Sequence, residues 1–262
     1  MAMRPPGLPR EKWINMIEWA EADLGLGIIE LKMIDPDGRN LLTEQSMRGM
    51  MDALQGLAQS SDIKVLLITG GQETFSGGAS LEKLKRLAAG EEDPALWQLP
   101  RRIVEFPVPV VAAVEGNAVG GGLMLALCCD MAIAAEERRY GLNFAALGFT
   151  PGMGATGIVP LLVGPGKAME IILTGKNYKG RELAGTGLFN AVVPAANVRE
   201  TALDLARRIV DCPRRVIQLM KRTLSVERAA ALESAARREL EMHRECFDDP
   251  ETARRIDETY SP

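Results

Sequence analysis

The stretch Glu115–Asp130, EGNAVGGGLMLALCCD, joins a strand-like apolar run to an apolar helix through three consecutive glycines, Gly120–Gly122. Glycine lets a backbone turn tightly and lets a ligand approach the amide groups, and the first N–H groups of a helix attract negative charge. The first helical turn carries Leu123 and Met124, which have no acid–base chemistry. The stretch therefore predicts a turn that holds an anion and lacks a proton carrier of its own.

A second glycine-rich turn lies in Gly70–Arg86, GGQETFSGGASLEKLKR, where Gly77–Ala79 leave the backbone open to a ligand. Two such turns in one domain are able to aim two amide groups at one oxygen. That is the geometry of an oxyanion hole, which stabilises charge on a thioester carbonyl. Two alternatives stay open: both turns only pack helix against strand, or the chain binds a dinucleotide. The second is weak, because GxGxxG is absent after the first predicted strand.

Strands and helices alternate over the first part of the chain. Apolar, partly β-branched runs predict strands, and the run at Ile63–Gly70 is typical of a strand covered on both faces. Thr43 is a predicted N-cap of a helix through about Leu57, and a short helix begins near Ser80. The other predicted strands are Gly27–Ile34, Val108–Gly116 and Met131–Ala135. This order predicts an α/β core over residues 1–198.

Residues 199–262 predict a helical C-terminal region, in which Pro213 opens one helix and Glu227–Phe247 forms another. At 100° per residue one arc of about 80° on the second helix is largely apolar. It holds Leu232, Ala236, Leu240, His243 and Phe247. His243 is the one histidine of the chain. It is either a core histidine with a backbone partner or a titratable group of near-neutral pKa in a buried cleft.

Composition bounds the possible functions. The 262 residues are 47% apolar with a net charge of −4, so charge favours neither nucleic acid nor a membrane surface as a partner. The start, MAMRPPGLPREKW, lacks the apolar core of a signal peptide. The cysteines show no metal-ligand spacing, which predicts reduced, mostly buried thiols, a cytoplasmic location and no metal site. They are Cys128, Cys129, Cys212 and Cys246.

Several stretches together resemble the enoyl-CoA hydratase/isomerase (crotonase) superfamily over nearly the whole chain. They are TFSGGASL, PVPVVAAVEGNAVGGGLMLALCCDMAIAAE, LGFTPGMGATGIVPLLVG and LTGKNYKGRELAGTGLFNAVVP. The resemblance implies a spiral of ββα units with a helical C-terminal trimerisation region, hence a homotrimer or a dimer of trimers. It implies an acyl-thioester substrate on CoA or on the phosphopantetheine of an acyl carrier protein, with no metal or redox cofactor. It also places the oxyanion amides on Ala79 and Gly121.

Two departures from the family pattern bear on the reaction. The positions of the two hydratase glutamates are occupied here by Met124 and by Phe144, eight residues before Gly152. Asn143 and Ser80 are poor substitutes as bases. Water addition needs a base for water and an acid for carbon. Hydratase activity is therefore disfavoured. The resemblance implies that isomerase members also need an acidic group near the second position, so isomerase activity is disfavoured too.

Decarboxylation of an acid conjugated to a thioester needs no base, because the oxyanion hole stabilises the resulting dienolate. The tail ELEMHRECFDDPETARRIDETY resembles the polyketide β-branching decarboxylases. They convert 3-methylglutaconyl groups on acyl carrier protein into 3-methylcrotonyl products. That resemblance implies a catalytic histidine in the tail, matched by His243, and a lysine on the helix after the first oxyanion turn. Lys83 and Lys85 lie there about 200° apart. Lys83 is preferred, since it lies one turn beyond Ala79.

The remaining candidates concern the pocket and the carrier. Leu147–Gly157 is predicted to line the acyl pocket, whose residues are Gly78, Gly120, Met124, Phe144, Thr150 and Gly152. Lys32 and Arg39 are either contacts of the pantetheine phosphate or carrier protein, or plain surface charges. Two alternative functions stay open: another acyl-thioester enzyme of the superfamily, such as an isomerase or hydrolase, and a catalytically silent acyl-thioester-binding protein.

Overall fold

A computed structural model describes residues 18–35, 37–89, 91 and 95–260. The strands are β1 Glu18–Asp23, β2 Ile28–Ile34, β3 Leu41–Leu42, β4 Val65–Thr69, β5 Thr74–Ser76, β6 Gly78–Ala79, β7 Val110–Val114, β8 Asn117–Val119, β9 Met131–Ala135, β10 Arg139–Gly141, β11 Tyr178–Lys179 and β12 Ala191–Val193. The helices are α1 Glu44–Ala58, α2 Leu81–Ala88, α3 Ala95–Val104, α4 Gly121–Cys128, α5 Ala155–Val163, α6 Pro165–Thr174, α7 Gly180–Leu183, α8 Val198–Val210, α9 Arg214–Leu224, α10 Val226–Phe247 and α11 Pro250–Tyr260.

The start of the chain, for which the absence of a signal peptide is predicted, lies outside the described residues. Within the described ranges, none of the helices combines the length and the apolar character needed to cross a membrane.

A six-stranded sheet in the order β1-β2-β4-β7-β9-β12 forms the centre of the fold. Its inner strands are parallel, and every residue of β4 and β7 is buried. Alternate residues of a strand face opposite sides. Leu66 and Ile68 therefore join one apolar core, whereas Val65 and Leu67 join a second core against α8. The prediction of a strand covered on both faces is confirmed.

Three strands of the central sheet each lead into a short strand of a second sheet. The pairs are β4 with β5, β7 with β8, and β9 with β10, and the second sheet has the order β11-β10-β8-β5. Helices α2 and α4 follow the first two of these pairs. This repeated ββα arrangement confirms the predicted crotonase-like α/β spiral.

Local signals place two helix starts correctly. The Thr43 side chain accepts a hydrogen bond from Ser46 N at the start of α1, and the Ser80 side chain accepts one from Lys83 N at the start of α2. Pro213 directly precedes α9, as predicted. The chain from Val198 to Tyr260 forms α8 to α11. Exposed apolar side chains on α9, among them Met220 and Leu224, are compatible with the predicted trimer, which stays a prediction.

The predicted inward arc of α10 is wrong by about one residue in its middle. The buried positions include Ala235 and Glu239, whereas Ala236 and Leu240 are only half-buried. The reason is a buried carboxylate: Glu239 accepts hydrogen bonds from backbone and side chain of the α5 start, and these turn that face of α10 inward. A search for apolar residues alone does not find such a position.

Two of the four cysteines, Cys128 and Cys129, are buried, while Cys212 and Cys246 are half-buried. All four are free thiols. Burial raises the pKa of Cys128 to about 12, so this thiol is protonated and unreactive at neutral pH. The prediction of mostly buried thiols therefore holds for Cys128 and Cys129, at the end of α4, and is too strong for the other two.

Candidate active site

The two glycine-rich turns lie directly against each other. Gly78 has a φ of +78°, a conformation that favours glycine, and a Cβ built on it would lie 2.8 Å from Val119 O and 3.5 Å from Gly121 N. Parallel pairing of β5 with β8 brings the turns to the same place. The backbone of one turn thus approaches the other within the width of a methyl group.

Each of the three consecutive glycines, Gly120–Gly122, occupies a different position at the start of α4. Gly120 is the N-cap of α4 with a φ of +52°, and a Cβ on Gly122 would overlap the carbonyl group of Ser76 in β5. Gly121 is the first residue of α4, and amide groups in a first helical turn have no acceptor within their own helix. The Gly121 N–H therefore has no acceptor within α4.

Ala79 and Gly121 line a common cavity of about 40 Å³. Its apolar lining consists of Leu42, Met47, Leu84, Leu87, Phe144, Phe149, Met153 and Phe247. The other lining residues are Lys83, Thr150, Gly152 and His243. Among the described residues that line this cavity there is no aspartate or glutamate. Ala79 and Gly121, which are predicted to form the oxyanion hole, therefore line the same cavity as Lys83 and His243.

Helix α2 separates the two candidate lysines. Lys83 is 6% exposed, lines the cavity, and its Nζ lies against Met47 Sδ. Lys85 is exposed and does not belong to the lining. Of the two positions left open by the sequence, the structure thus brings Lys83 to the oxyanion turns and leaves Lys85 at the surface.

His243 enters the cavity from α10 and is 9% exposed. Its Nε2 lies 3.0 Å from Pro151 O and 3.2 Å from Thr150 O. The rings of Trp97 and Phe247 contact the imidazole, with centroid distances of 5.9 and 5.6 Å. The ring is therefore held by two aromatic neighbours and by the backbone of the loop before α5.

These contacts fix the tautomer of His243. Carbonyl oxygens only accept hydrogen bonds, so Nε2 must carry the proton and donate it to them. Burial lowers the pKa of His243 from its ordinary 6.5, although the two backbone hydrogen bonds oppose that shift. The predicted near-neutral pKa is thus corrected downward, and the imidazole is neutral at neutral pH with Nδ1 unprotonated.

The single histidine makes this pKa directly measurable. We expect the imidazole NMR signals, which belong to His243 without assignment experiments, to titrate below 6.5 in the folded protein. Because the folded pKa is lowered, the contribution of this group to stability is present above about pH 6.5 and is lost as the pH falls toward the folded value. A His243→Gln variant should lack that part of the acid destabilisation. A folded pKa at or above 6.5 would contradict the described ring environment.

Glu239 lies one turn before His243 on α10 and organises the loop beneath it. Its carboxylate accepts from Gly154 N at 2.9 Å, and from Thr156 N and Oγ1 at 2.7 Å each. Burial raises the pKa of Glu239, and the hydrogen bonds oppose this. Since Gly154 is the N-cap of α5, the carboxylate also faces the positive end of that helix. The start of α5, which follows the loop that holds His243, is thereby anchored to the same helix as His243.

The structure separates the predicted pocket residues into two groups. Phe144, Thr150 and Gly152 line the cavity, as does the oxyanion pair. Gly78 and Gly120 shape the backbone behind it, and Met124 is fully buried in the core without belonging to the lining. Of the predicted pocket residues, Met124 therefore does not line this cavity.

Sequence reasoning missed several lining residues. Leu42 and Met47 come from β3 and α1, and no signal in the sequence places them beside the glycine turns. Met153 was contained in the predicted pocket segment, and Phe247 shares the α10 arc with His243. Trp97 contacts the imidazole from α3 and was not predicted. Elements far from the glycine turns in the sequence, such as β3 and α1, thus complete the lining of the cavity, whereas its polar residues lie in recognisable motifs.

The two basic residues proposed for the carrier differ in position. Arg39 is exposed, and its carbonyl accepts a hydrogen bond from Gly77 N in the first oxyanion turn. Lys32 is exposed on the β2 face that carries Glu30, which is the face covered by α8. Alternation along β2 therefore places Lys32 on the opposite face from the cavity, whereas Arg39 lies beside it.

Comparison with known proteins agrees with this geometry. The family model described as enoyl-CoA hydratase/isomerase matches residues 24–258. The bacillaene synthase decarboxylase PksI of Bacillus subtilis is 33% identical over 236 residues, which are 89% of this chain and 94% of that protein. The crotonyl-CoA hydratase of Syntrophomonas wolfei is 34% identical over 211 residues, covering 77% and 81% of the two chains. Identity alone therefore does not separate decarboxylase from hydratase.

Two solved structures are similar over nearly their full length. The ECH2 decarboxylase domain of CurF from Lyngbya majuscula has a TM-score of 0.85 and 33% identity, with 92% of this chain and 99% of that chain covered. A dehydratase/decarboxylase enzyme couple involved in polyketide β-branching supplies another, with a TM-score of 0.87 and 31% identity over 93% and 99%. Because the family model matches residues 24–258 and PksI is 33% identical over 89% of the chain, the chain belongs to the enoyl-CoA hydratase/isomerase family.

Proposed function

We propose that this chain decarboxylates a 3-methylglutaconyl thioester carried on acyl carrier protein and releases a 3-methylcrotonyl product. One observation carries the proposal: the cavity joins two oxyanion amides with Lys83 and His243, and its described lining has no carboxylate. Hydration needs a base to activate water. Loss of carbon dioxide needs stabilisation of a negative charge and a proton afterwards, which are the groups present.

The thioester oxygen is bound by the amide groups of Ala79 and Gly121. Their N–H groups belong to rigid elements, the end of β6 and the start of α4, so they need no rearrangement when charge develops. The low-polarity lining strengthens both hydrogen bonds. These amides stabilise the dienolate oxygen more than the ground-state carbonyl, which lowers the barrier.

The bond that breaks joins the distal carboxylate carbon to the γ-carbon of the acyl chain. Its electron pair moves through the conjugated system to the thioester oxygen, and carbon dioxide leaves. The Lys83 ammonium first pairs with the carboxylate and then gives a proton to the γ-carbon, which regenerates the thioester carbonyl and the conjugated double bond. Solvent returns a proton to the lysine amine.

His243 is neutral before substrate binds, so it does not start as an imidazolium acid. A carboxylate beside the ring favours its protonated form and raises its pKa. In the proposed reaction His243 therefore takes up a proton at Nδ1 as the substrate carboxylate enters, and helps Lys83 to hold that carboxylate.

Intact-protein mass spectrometry of 3-methylglutaconyl-loaded acyl carrier protein tests the proposal, with the CoA thioester run alongside. We expect loss of the mass of carbon dioxide, faster on the carrier protein than on CoA. Conversion of the CoA thioester alone would remove the carrier protein from the proposal. No loss on either carrier would overturn decarboxylation, and thioester hydrolysis or silent binding would then be the functions to test.

A further inference from the structure

Thr150 has a side chain that the fold leaves unsatisfied. Its hydroxyl oxygen is buried and has no hydrogen-bond partner among the residues that the structure describes. The large majority of buried hydroxyl groups in proteins are hydrogen-bonded, and a buried hydroxyl group without a partner lowers the stability of the folded state. A buried polar group without a partner is therefore a candidate for binding a ligand.

The position of Thr150 shows where such a ligand lies. Thr150 lines the cavity together with Lys83 and His243, and its own carbonyl accepts from His243 Nε2 at 3.2 Å. The carbonyl is thus used to hold the imidazole, and the hydroxyl remains as a donor. Lys83, Thr150 and His243 all belong to the lining of this cavity, and ammonium, hydroxyl and imidazole groups bind anions, whereas the apolar part of the lining suits an acyl chain.

We propose that the Thr150 hydroxyl donates a hydrogen bond to the distal carboxylate of the bound acyl thioester and so selects dicarboxylic over monocarboxylic acyl groups. This inference rests on the proposed function and names a specificity-determining residue for it. A carboxylate has about four acceptor positions, more than a single ammonium group satisfies in a dry site. The hydroxyl supplies one of the missing donors.

The proposed hydrogen bond acts on binding rather than on the chemical step. As carbon dioxide forms, the carboxylate loses its charge and becomes a poor acceptor, so the interaction is strong in the bound substrate and weak in the transition state. An interaction of that kind lowers KM without raising kcat. Thr150→Val should therefore raise KM by about ten- to hundred-fold, the range for a hydrogen bond to a charged group, and leave kcat undiminished.

The test measures affinity by calorimetry for two unreactive thioesters of equal chain length, glutaryl-CoA and pentanoyl-CoA. For the Thr150→Val variant, which keeps the shape and removes the hydroxyl, we expect about ten- to hundred-fold weaker glutaryl-CoA binding and unchanged pentanoyl-CoA binding. Thr150→Ser keeps the hydroxyl and should retain the preference for glutaryl-CoA. Equal losses for both ligands, or no loss for either, would overturn the inference.

The melting temperature of the ligand-free protein distinguishes a ligand-binding role of the hydroxyl from a structural one, because the two roles change it in opposite directions. Removing a buried, unpaired hydroxyl should raise the Tm of Thr150→Val by about 2–4 °C. A lower Tm would show that the hydroxyl is used within the folded chain, against the inference.

The design separates this inference from the proposed reaction. If the wild-type chain releases no carbon dioxide but Thr150→Val weakens glutaryl-CoA binding, the proposed reaction is wrong and the proposed carboxylate site is supported. If the wild-type chain releases carbon dioxide and Thr150→Val binds both thioesters with wild-type affinity, the proposed reaction is supported and the inference about Thr150 is wrong.

Discussion

Replacing Lys83 by methionine is expected to lower kcat/KM for decarboxylation by about 10²–10⁴-fold, the usual contribution of a positioned proton donor. Lys83 is the buried cation of the cavity lining, at 6% exposure, and methionine preserves the length and apolar character of its stem. The substitution removes the ammonium group that pairs with the carboxylate and protonates the γ-carbon. Initial rates of carbon dioxide loss from loaded carrier protein give the comparison.

Lys85→Met is the matched control, because it makes the same chemical change two residues along the same helix, at an exposed position outside the cavity. We expect wild-type rates for it. Unaltered melting temperatures of both variants would show that the difference is not one of folding. Equal rates for the two variants, whether both wild-type or both reduced, would contradict the role given to Lys83.

Removing the Gly121 amide is expected to lower kcat by about 10²–10³-fold, as found when one oxyanion donor is lost. Gly121→Pro does this at the first position of α4, where proline is tolerated because its missing N–H has no helical acceptor. Steady-state kinetics on the 3-methylglutaconyl carrier protein measure the loss.

Gly121→Ala controls for crowding. A Cβ at this position would lie 2.9 Å from Met153 Sδ and 3.1 Å from Leu42 Cδ1, both at the ends of flexible side chains. Both variants introduce that carbon, but only proline replaces the N–H hydrogen by a ring carbon, so the ratio of their kcat values reports the loss of the donor together with the ring at its place. A ratio near one would mean that Gly121 N–H does not bind the thioester oxygen.

The sequence predicts the parts of the fold that depend on short-range patterns. The β4 run is apolar at successive positions because both of its faces are covered, and Thr43 and Ser80 are side-chain caps that act over three residues. The glycines at 78 and 120–122 are also recognisable as motifs, although the close contacts that require Gly78 and Gly122 form between the two turns.

The sequence does not predict features that arise between distant elements. The burial of Glu239 depends on the start of α5 supplying three donors, and the sequence places those donors about 83 to 85 residues away. The choice between Lys83 and Lys85 depends on the rotation of α2 over the oxyanion turns. That the Thr150 hydroxyl has no partner in the described part of the chain becomes visible only when the neighbouring acceptors have been located.

The two carbonyl groups that hold Nε2 of His243 determine where the ring exchanges protons. The ring keeps Nε2 on the carbonyl groups of Thr150 and Pro151 in both protonation states, because both states carry a proton on Nε2. A proton therefore comes and goes at Nδ1 alone, with no rotation about the side-chain torsions and no change of tautomer. Trp97 and Phe247 restrain the same orientation. In the proposed reaction the charge of His243 therefore alternates between the free and the substrate-bound protein, while the position of the ring stays constant.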